Sequence, residues 1–360
     1  MDDSDGAISF DAEGHCNHCR DFLRRLASSR RRLDDGADVA ALVARIRRAG
    51  EGAPYDCVIG ISGGCDSSYA AYLAVSLGLR VLAVHMDNGW DTALAVRNVK
   101  RLVDRLGLDY VSVVLDWDQF RDLQLAFFKA SVPEIETPTD VAIPAALHQV
   151  AAAHGVKYII SGGNTWTEGI LPKSWHYDPK DMRYLRAIHA RYGTRSLRGF
   201  PTFGYRLEAY YKLVRGVRTA YLLEHVRYRV HEAAARLSEE LGWEAPAGKH
   251  HESTVTRFVQ SYVLPMKFGI DYRRATLSTR ICFGDITRAE ALAQLERPPF
   301  DAAQLVRDKQ YVARKFGVTV DELERILALP PKTYRAYPND QHFLERLYSA
   351  YRMLFSSAAT

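Results

Sequence analysis

Apolar residues in the middle of the chain follow two alternating spacings. Short apolar runs rich in valine and isoleucine predict buried strands, and apolar positions that recur about every 3.6 residues predict the helices between them. The predicted strands are residues 57–61, 81–86, 110–115 and 156–160. This alternation of strand and helix predicts an α/β fold with a doubly wound parallel sheet.

The strand pattern covers only part of the chain, so the sequence divides into three regions. Residues 1–50 carry a Cys-x-x-Cys pair and arginine-rich amphipathic helices that break near residues 34–36. Residues 51–165 contain the predicted sheet. The strand pattern stops after Trp166, and residues 166–360 are predicted to be mainly helical.

One loop of the predicted sheet carries a concentrated chemical signal. After the first strand the chain reads Ser-Gly-Gly-Cys-Asp-Ser-Ser over residues 62–68 and continues into a helix. Glycines permit a sharp turn and close approach to a ligand, and the loop N–H groups at a helix N-terminus favour an anion. The pattern therefore predicts a phosphate cradle, and the alternative is an ordinary glycine turn. It is not a P-loop or a dinucleotide fingerprint, because the required lysine and third glycine are absent.

Ligands of a doubly wound sheet bind at the carboxyl ends of its strands. Polar residues and glycines follow all four predicted strands at that edge, with Asp116 and Asp118 after the third. The residues expected to surround a nucleotide are Ser62, Gly63, Gly64, Asp66, Ser67, Ser68, His85, Asp87, Ser161, Gly162 and Gly163.

Composition narrows the class of protein. The 360 residues are 47% apolar, which is enough for one large or two modest cores. No apolar run approaches the roughly 20 residues of a membrane span, and the acidic start is unlike a signal peptide. Five cysteines at irregular spacing suit a reducing cytoplasm. We therefore expect a cytoplasmic protein without a membrane segment, and the net charge of +5 is too small to predict a nucleic-acid partner.

Cys16 and Cys19 have the spacing of zinc ligands, but they supply only half of a tetrahedral site. A second pair is absent elsewhere in the sequence, so a partial zinc site, a redox pair and two unliganded thiols all remain open. Residues 249–252, Lys-His-His-Glu, suggest a surface loop or a metal site, although the helical spacing of metal-binding histidines is missing.

The loop Ser-Gly-Gly-x-Asp-Ser resembles the PP-loop of ATP pyrophosphatases, which cleave ATP between its α and β phosphates. The chain as a whole resembles the N-acetyl sugar amidotransferases, a group associated with pseudaminic acid and lipopolysaccharide amidino-sugar formation. Residues 168–175 and 248–258 are the most specific parts of this resemblance. The matching stretches are residues 10–19, 55–69, 82–90, 122–133, 158–175 and 248–292.

The resemblance implies a sheet of the adenine nucleotide alpha hydrolase-like type with a mainly helical C-terminal region. It also implies an ATP- and Mg²⁺-dependent enzyme that forms AMP and pyrophosphate while converting an acetamido group of an N-acetylated sugar into an acetamidino group. Ammonia would come from a separate glutaminase subunit, because a glutaminase-type pattern of Cys, His and Glu is missing here. The implied catalytic residues are Asp66, Ser67, Lys173, Lys249 and His250, and the last three, with Arg257, are also candidates for binding the sugar's acidic group or its nucleotide.

The sequence departs from the family pattern at two places. Cys65 occupies a loop position that is commonly Lys or Val in the family. Family members also begin with an earlier Cys-x-x-Cys pair, so we expect that this chain either lacks half of a zinc site or starts inside a longer reading frame.

Two other functions remain open at this stage. A PP-loop tRNA-modifying enzyme of the thiolation type would use the cysteines and the arginine-rich segment. A non-catalytic nucleotide-binding partner subunit would bind ATP without turnover. The sequence leaves open which sugar is the substrate and whether the protein forms a homo-oligomer.

Overall fold

The computed structural model describes residues 1–33, 37–246, 248 and 251–346, without the side chains of residues 28–33. The predicted break near residues 34–36 and the predicted site residues Lys249 and His250 lie outside the described residues.

A five-stranded parallel sheet forms the centre of the protein. Its strands are β1 (Cys57–Gly60), β2 (Val81–Asp87), β3 (Asp109–Val114), β4 (Tyr158–Ser161) and β5 (Arg218–Tyr221). The spatial order is β3-β2-β1-β4-β5, and every neighbouring pair is parallel. The chain moves outward from β1 to β3 and then returns to the other side of β1, so the topological switch lies between β1 and β4.

The sheet extends further along the chain than the sequence predicted. The α/β class and the first four strands are confirmed, but the expectation that the strand pattern ends after residue 166 is wrong, because β5 pairs with β4. β5 is a short edge strand in which only Ala220 is buried. A strand of this kind produces no apolar run, which explains why the sequence pattern did not reveal it.

Helices cover both faces of the sheet and form most of the C-terminal half. In chain order they are α1 (Asn17–Leu33), α2 (Ala37–Ala49), α3 (Cys65–Ser76), α4 (Ala93–Leu106), α5 (Trp117–Ala130), α6 (Thr137–Ala153), α7 (Thr165–Glu168), α8 (Met182–Tyr192), α9 (Tyr205–Ala209), α10 (Val230–Leu241), α11 (Thr254–Phe258), α12 (Tyr272–Phe283), α13 (Arg288–Leu295), α14 (Ala302–Phe316) and α15 (Val320–Leu327). Short 3₁₀ turns occupy Lys173–Trp175, Leu222–His225 and Tyr334–Ala336, and π-helical segments occupy Tyr210–Val214 and Val259–Phe268.

The central strand β1 is buried on both faces, as expected of a parallel sheet between two helical layers. Ile59 belongs to the larger hydrophobic cluster, which includes Ala70 and Ala74 of α3. Val58 faces the opposite cluster together with Ala145 of α6. Alanines at these contacts allow the helix backbones to approach the strands closely.

The core does not stop at the predicted boundary between residues 165 and 166. Val312, Phe316 and Leu323 of the C-terminal helices belong to the same cluster as Trp90, which follows β2. The rings of Trp90 and Phe316 meet edge to face with centroids 5.4 Å apart. The C-terminal helices therefore pack directly against the edge of the sheet where a ligand is expected.

Candidate nucleotide site

The predicted phosphate cradle lies between the end of β1 and the start of α3. Gly63 has φ +82, a backbone conformation that strongly favours glycine. A Cβ atom at Gly63 would also lie 2.6 Å from the carbonyl oxygen of Ala95. Gly64 is the N-cap residue of α3 and has no side chain with which to cap the helix. The N–H groups of the first turn of α3 are thus suited to binding an anion.

Two side chains from other parts of the chain fix the loop. The indole Nε1 of Trp243 donates a hydrogen bond to the carbonyl oxygen of Gly63 at 2.9 Å. The amide Nδ2 of Asn98 donates to the same oxygen at 3.2 Å, and its Oδ1 accepts from the backbone N–H of Glu244 at 3.0 Å. The segment after α10 therefore positions the loop, a role that the sequence pattern did not indicate.

Two serines of the loop form hydrogen bonds with each other across the turn. The hydroxyl Oγ of Ser67 accepts from the backbone N–H of Ser62 at 3.2 Å, and the two hydroxyl oxygens are 3.1 Å apart. Ser68 is fully buried, and its hydroxyl has no hydrogen-bond partner among the described residues. The hydroxyls of Ser62 and Ser67 thus lie together in the loop, whereas Ser68 is buried in the protein interior.

The carboxylate of Asp66 is held by two hydroxyl donors. Tyr228, which precedes α10, donates to one oxygen, and Thr167 of α7 donates to the other at 3.1 Å. Burial, followed by the charge of Asp66, raises the pKa of the Tyr228 hydroxyl, so this group stays protonated as a donor. Asp66 therefore connects the start of α3 to two later segments of the chain.

His85 lies at the end of β2, and both of its ring nitrogens have partners. Nδ1 is 2.8 Å from the carbonyl oxygen of Ile61, and Nε2 is 2.9 Å from a carboxylate oxygen of Asp91. Burial lowers the pKa of His85, but the hydrogen bond and charge of Asp91 outweigh this effect and raise it. His85 is thus a group held in place beside the cradle, with its pKa raised by Asp91. Asp87 accepts from the backbone N–H of Gly89 at 2.8 Å, outside the cavity described below.

The end of β4 packs directly against the cradle. A Cβ atom at Gly162 would lie 2.8 Å from the backbone nitrogen of Ser67, so a larger residue would displace the loop. The hydroxyl of Ser161 accepts from the backbone N–H of Gly163 at 3.1 Å. The glycines after β4 therefore permit close approach between two strand ends at the topological switch.

A cavity of about 1040 Å³ opens at these strand ends. It runs from the cradle, which Glu252 adjoins, past α6 to Thr256 and Tyr272 of the C-terminal segment. The predicted site residues that line it are Ser62, His85, Ser161 and Gly162. The other described residues predicted to bind the nucleotide or to act in catalysis do not line the cavity. They are Gly63, Gly64, Asp66, Ser67, Ser68, Asp87, Gly163 and Lys173.

The far part of the cavity carries carboxylates that the sequence analysis did not single out. Glu136 accepts hydrogen bonds from Thr256 and from Gln260, the latter at 3.1 Å. Asp140 is accessible from the cavity but surrounded by protein, and desolvation, with a smaller contribution from the charge of Glu136, raises its pKa to about 7. Burial also raises the pKa of Glu134 to about 7, although the Tyr184 hydroxyl donates to it at 3.0 Å. At neutral pH Asp140 and Glu134 can therefore exchange protons.

An aromatic wall faces these carboxylates. Trp175 stacks on Tyr272 with ring centroids 5.9 Å apart and planes inclined by 13°, and both rings line the cavity. Flat aromatic surfaces beside polar oxygens suit the alternating apolar and hydroxyl faces of a sugar. The cavity thus has one end suited to phosphate and another suited to a polar organic acceptor.

Two of the predicted sugar-binding cations lie away from this wall. Lys173 is exposed on the turn that leads to Trp175. Arg257 forms a two-pronged ion pair with Asp308, with nitrogen–oxygen distances of 2.6 and 2.9 Å, and does not line the cavity. The geometry therefore gives no support to the roles predicted for these two side chains. The described basic residues that do line the cavity are His85, His148, His176, Lys180, Lys212 and Arg218.

The cysteine pair lies at the start of α1, apart from the cavity. The backbone N–H of Cys19 donates to the sulfur of Cys16 at 3.3 Å. A hydrogen bond with Cys282 of α12, together with burial, raises the pKa of Cys19, and burial raises the pKa of Cys16. Across the described ranges, the one group of three potential ligands within 4.8 Å of each other is Asp11, Glu13 and His15, which contains neither cysteine. Within the described residues, the pair therefore lies next to a third thiol, Cys282, and outside that group of potential ligands.

Fold and loop together define a PP-loop protein, and sequence comparison supports this class. Residues 39–130 match the NAD synthase family, a PP-loop family that uses ATP, usually with Mg²⁺. Residues 252–352 match the family described as LPS biosynthesis protein WbpG-like, C-terminal domain. The chain is therefore a PP-loop protein with a WbpG-like C-terminal domain, which confirms the resemblance seen in the sequence.

Individual relatives are more distant. A tRNA-specific 2-thiouridylase MnmA 2 of Fusobacterium nucleatum is 27% identical over 141 residues, which cover 36% of this chain and 41% of that protein. Among solved structures, an NH₃-dependent NAD synthetase from Campylobacter jejuni has 15% identity and a TM-score of 0.32, covering 79% of this chain and 97% of that one. An NMN synthetase from Francisella tularensis has 16% identity and a TM-score of 0.30, covering 59% of this chain and 97% of that one. In the described part of the chain, every helix is too short or too polar to cross a membrane.

Proposed function

We propose that this protein is an ATP-dependent amidotransferase that converts an acetamido group of a surface-polysaccharide sugar into an acetamidino group. The observation that carries the proposal is the continuity of the cavity. One end is the cradle of an ATP-using PP-loop region, and the other is lined by Thr256 and Tyr272 of a domain matched to LPS biosynthesis. A molecule bound against Trp175 and Tyr272 would share this space with a nucleotide at Ser62.

The chemistry requires activation of a poor leaving group. The acetamido oxygen attacks the α-phosphorus of ATP, pyrophosphate leaves, and loss of the amide proton gives an O-adenylyl imidate. Ammonia then adds to the imidate carbon, and AMP leaves with the original acetamido oxygen. The products are an acetamidine, AMP and pyrophosphate, and the protein contributes chiefly by alignment and charge stabilisation.

The cradle would hold the phosphates in this scheme. The N–H groups at the start of α3 and the hydroxyls of Ser62 and Ser67 would bind the pyrophosphate portion, and Asp66 would keep the loop in place. Mg²⁺, when bound, supplies positive charge against the phosphates. The donors here are oxygen atoms, which Mg²⁺ prefers.

Asp140 is the group best suited to handle protons in the acceptor part of the cavity. Its pKa of about 7 lets it accept a proton from the amide or from an incoming ammonium ion near neutral pH. Lys249 and His250 remain predicted catalytic residues of the same reaction.

An oxygen-18 experiment tests the reaction directly. The protein is incubated with ATP, Mg²⁺, ammonium and N-acetylated sugars or nucleotide sugars labelled in the acetamido oxygen. We expect labelled AMP and a sugar whose mass reflects replacement of oxygen by NH. Unlabelled AMP with an altered sugar would contradict adenylation of the acetamido oxygen, and ADP as the sole nucleotide product would contradict AMP formation.

Two loop variants connect that reaction to the cradle. Ser67→Ala removes one phosphate donor and should lower AMP formation on the order of a hundredfold, the cost of about 3 kcal/mol for one lost transition-state hydrogen bond. Asp66→Ala should abolish AMP formation because both of its hydroxyl contacts are lost. Circular dichroism would establish that each variant is folded.

A thiolation-type activity is the second candidate, favoured by the match to a tRNA 2-thiouridylase. Sulfur transfer would need a thiol at the reacting centre. Cys65 instead faces Tyr228 and the backbone of Val230, and within the described ranges no cysteine lines the cavity. Salt-sensitive tRNA binding with an affinity in the range of specific complexes would favour this alternative.

A further inference from the structure

The carboxylate of Glu252 lies against the phosphate cradle. A Cβ atom placed on Gly64 would be 2.6 Å from Oε1 of Glu252, so this oxygen occupies the space above the N-cap of α3. The hydroxyl of Ser62 donates to the same oxygen at 3.4 Å. An acidic side chain therefore lies next to the N–H and hydroxyl groups that would bind a phosphate.

Backbone hydrogen bonds hold the main chain of residue 252 beside the segment that follows β2. The carbonyl oxygen of Glu252 accepts from the N–H of Thr92 at 2.9 Å, and the N–H of Thr254 donates to the carbonyl oxygen of Trp90 at 2.9 Å. Asp91 and Ser253 form an antiparallel bridge between these bonds. The bonds join the segment after β2 to the start of the WbpG-like domain, so they hold the main chain of Glu252 next to the cradle.

A carboxylate beside a triphosphate is unfavourable by itself, since both groups are anionic and they share a partly enclosed cavity. A divalent cation between them converts the repulsion into two attractions. Mg²⁺ in nucleotide sites is commonly held by one or two carboxylates together with phosphate oxygens.

We propose that Glu252 binds the divalent cation that accompanies ATP and so serves as the ligand through which the C-terminal domain contacts the phosphates. This inference rests on the proposed function in one respect, namely that the cradle binds ATP. It adds a residue that the loop motif does not contain. The cation site would then combine the cradle with a residue from the C-terminal domain.

Calorimetric binding of ATP, measured with excess Mg²⁺ and separately with a chelator, tests this role without turnover. Glu252→Gln should weaken ATP binding on the order of tenfold with Mg²⁺ because a cation ligand is lost. The same variant should strengthen binding severalfold without Mg²⁺, because the repulsion is relieved. The effect of the substitution on affinity should therefore change sign with the metal.

Two control variants accompany the test. Glu252→Asp keeps the charge and should keep the wild-type preference for Mg²⁺, even if its shorter side chain binds less tightly. Glu239→Gln removes an exposed carboxylate on α10 and should leave both affinities unchanged. Backbone hydrogen bonds of residue 252 do not depend on its side chain, so all three variants are expected to fold.

The outcomes separate the inference from the proposed function. If Glu252→Gln binds ATP more tightly in both conditions, the carboxylate only repels the phosphates. If the variant binds more weakly or equally in both conditions, the carboxylate has only a structural role. Either result would overturn the inference. Wild-type protein that binds no ATP in either condition would overturn the proposed function as well. The change of sign is the result that supports Glu252 as a cation ligand.

Discussion

The hydroxyl of Tyr228 donates a hydrogen bond to the carboxylate of Asp66, although 162 positions separate the two residues in the chain. Tyr228 is almost fully buried. The first turn of α3 is thereby fixed from a segment that lies beyond β5. Phosphate binding should consequently depend on a residue outside the loop motif.

Tyr228→Phe tests that dependence. Removing a buried hydrogen bond to a charged group costs about 1.5–3 kcal/mol, so we expect a lower melting temperature and reduced AMP formation. Tyr72→Phe is the matched control, because Tyr72 on α3 donates to the exposed carboxylate of Glu240 at 2.7 Å. The control should change little. Equal effects of the two substitutions would contradict a special role for the Tyr228–Asp66 contact.

A second prediction concerns the pH dependence of turnover. Asp140 must be deprotonated to accept a proton, and its pKa is raised to about 7. The rate should therefore rise with pH between about 6 and 8. When the concentration of unprotonated ammonia is held constant, Asp140→Asn should lower the rate by about 10²–10⁴-fold and remove that rise. Glu208→Gln is the control, because Glu208 is paired with Lys180 at 2.8 Å. This variant should retain the wild-type dependence of rate on pH.

Glu134 should make stability depend on pH. Its folded pKa of about 7 exceeds an unfolded value of about 4.3, so the folded state binds more protons between these values. Stability should consequently fall as pH rises through this window. Glu134→Gln, which can still accept from Tyr184, should be more stable than wild type at pH 8 and similar at pH 4. Melting temperatures of both proteins, measured across this pH range, test the direction of the effect. If the two melting temperatures change with pH in parallel, the prediction is wrong.

The nitrogen source gives a further prediction. We expect the isolated chain to use free ammonium and to leave glutamine unchanged, because the proposed reaction takes ammonia from a separate glutaminase subunit. Assays with each nitrogen donor, followed by release of glutamate, distinguish these cases. Glutamine-dependent turnover by this chain alone would rule out the two-protein arrangement.

The cysteine pair predicts weak metal binding by the 360-residue chain. A structural zinc needs four ligands, and the raised pKa values of Cys16 and Cys19 keep their thiols protonated. We therefore expect substoichiometric zinc in purified protein, with no change after Cys282→Ser. Cys16 is buried and should react slowly with thiol reagents in the folded protein, contrary to the easy access expected of a free pair. Tightly held zinc at one equivalent would contradict this prediction.

Local signals explain which parts of the site the sequence could predict. Gly63 and Ser67 lie within one loop between an apolar run and a helix, so their pattern is sufficient to predict a phosphate cradle. β5 was missed because it is short and largely exposed. Asp140 was missed because its altered pKa arises from the walls of a cavity formed by distant segments.

Glu252 illustrates the same limit in another way. The sequence analysis noted its polar cluster and considered a surface loop or a metal site of neighbouring histidines. Only the backbone pairing of residues 90–92 with 252–254 places its carboxylate beside Gly64. Contacts of this kind depend on the fold as a whole and leave no periodic pattern along the chain.

That pairing also bears on how proteins of this type can diverge. A gene exchange that replaced everything from residue 252 onward would remove the partner of Asp91 and the acidic group next to Gly64 in one event. If Glu252 has the role proposed above, a foreign segment would have to restore both features before the protein could bind ATP with its cation. Acceptor choice and phosphate handling should therefore be inherited together, and new substrates should arise more readily by point changes around Trp175 and Tyr272 than by shuffling of whole segments.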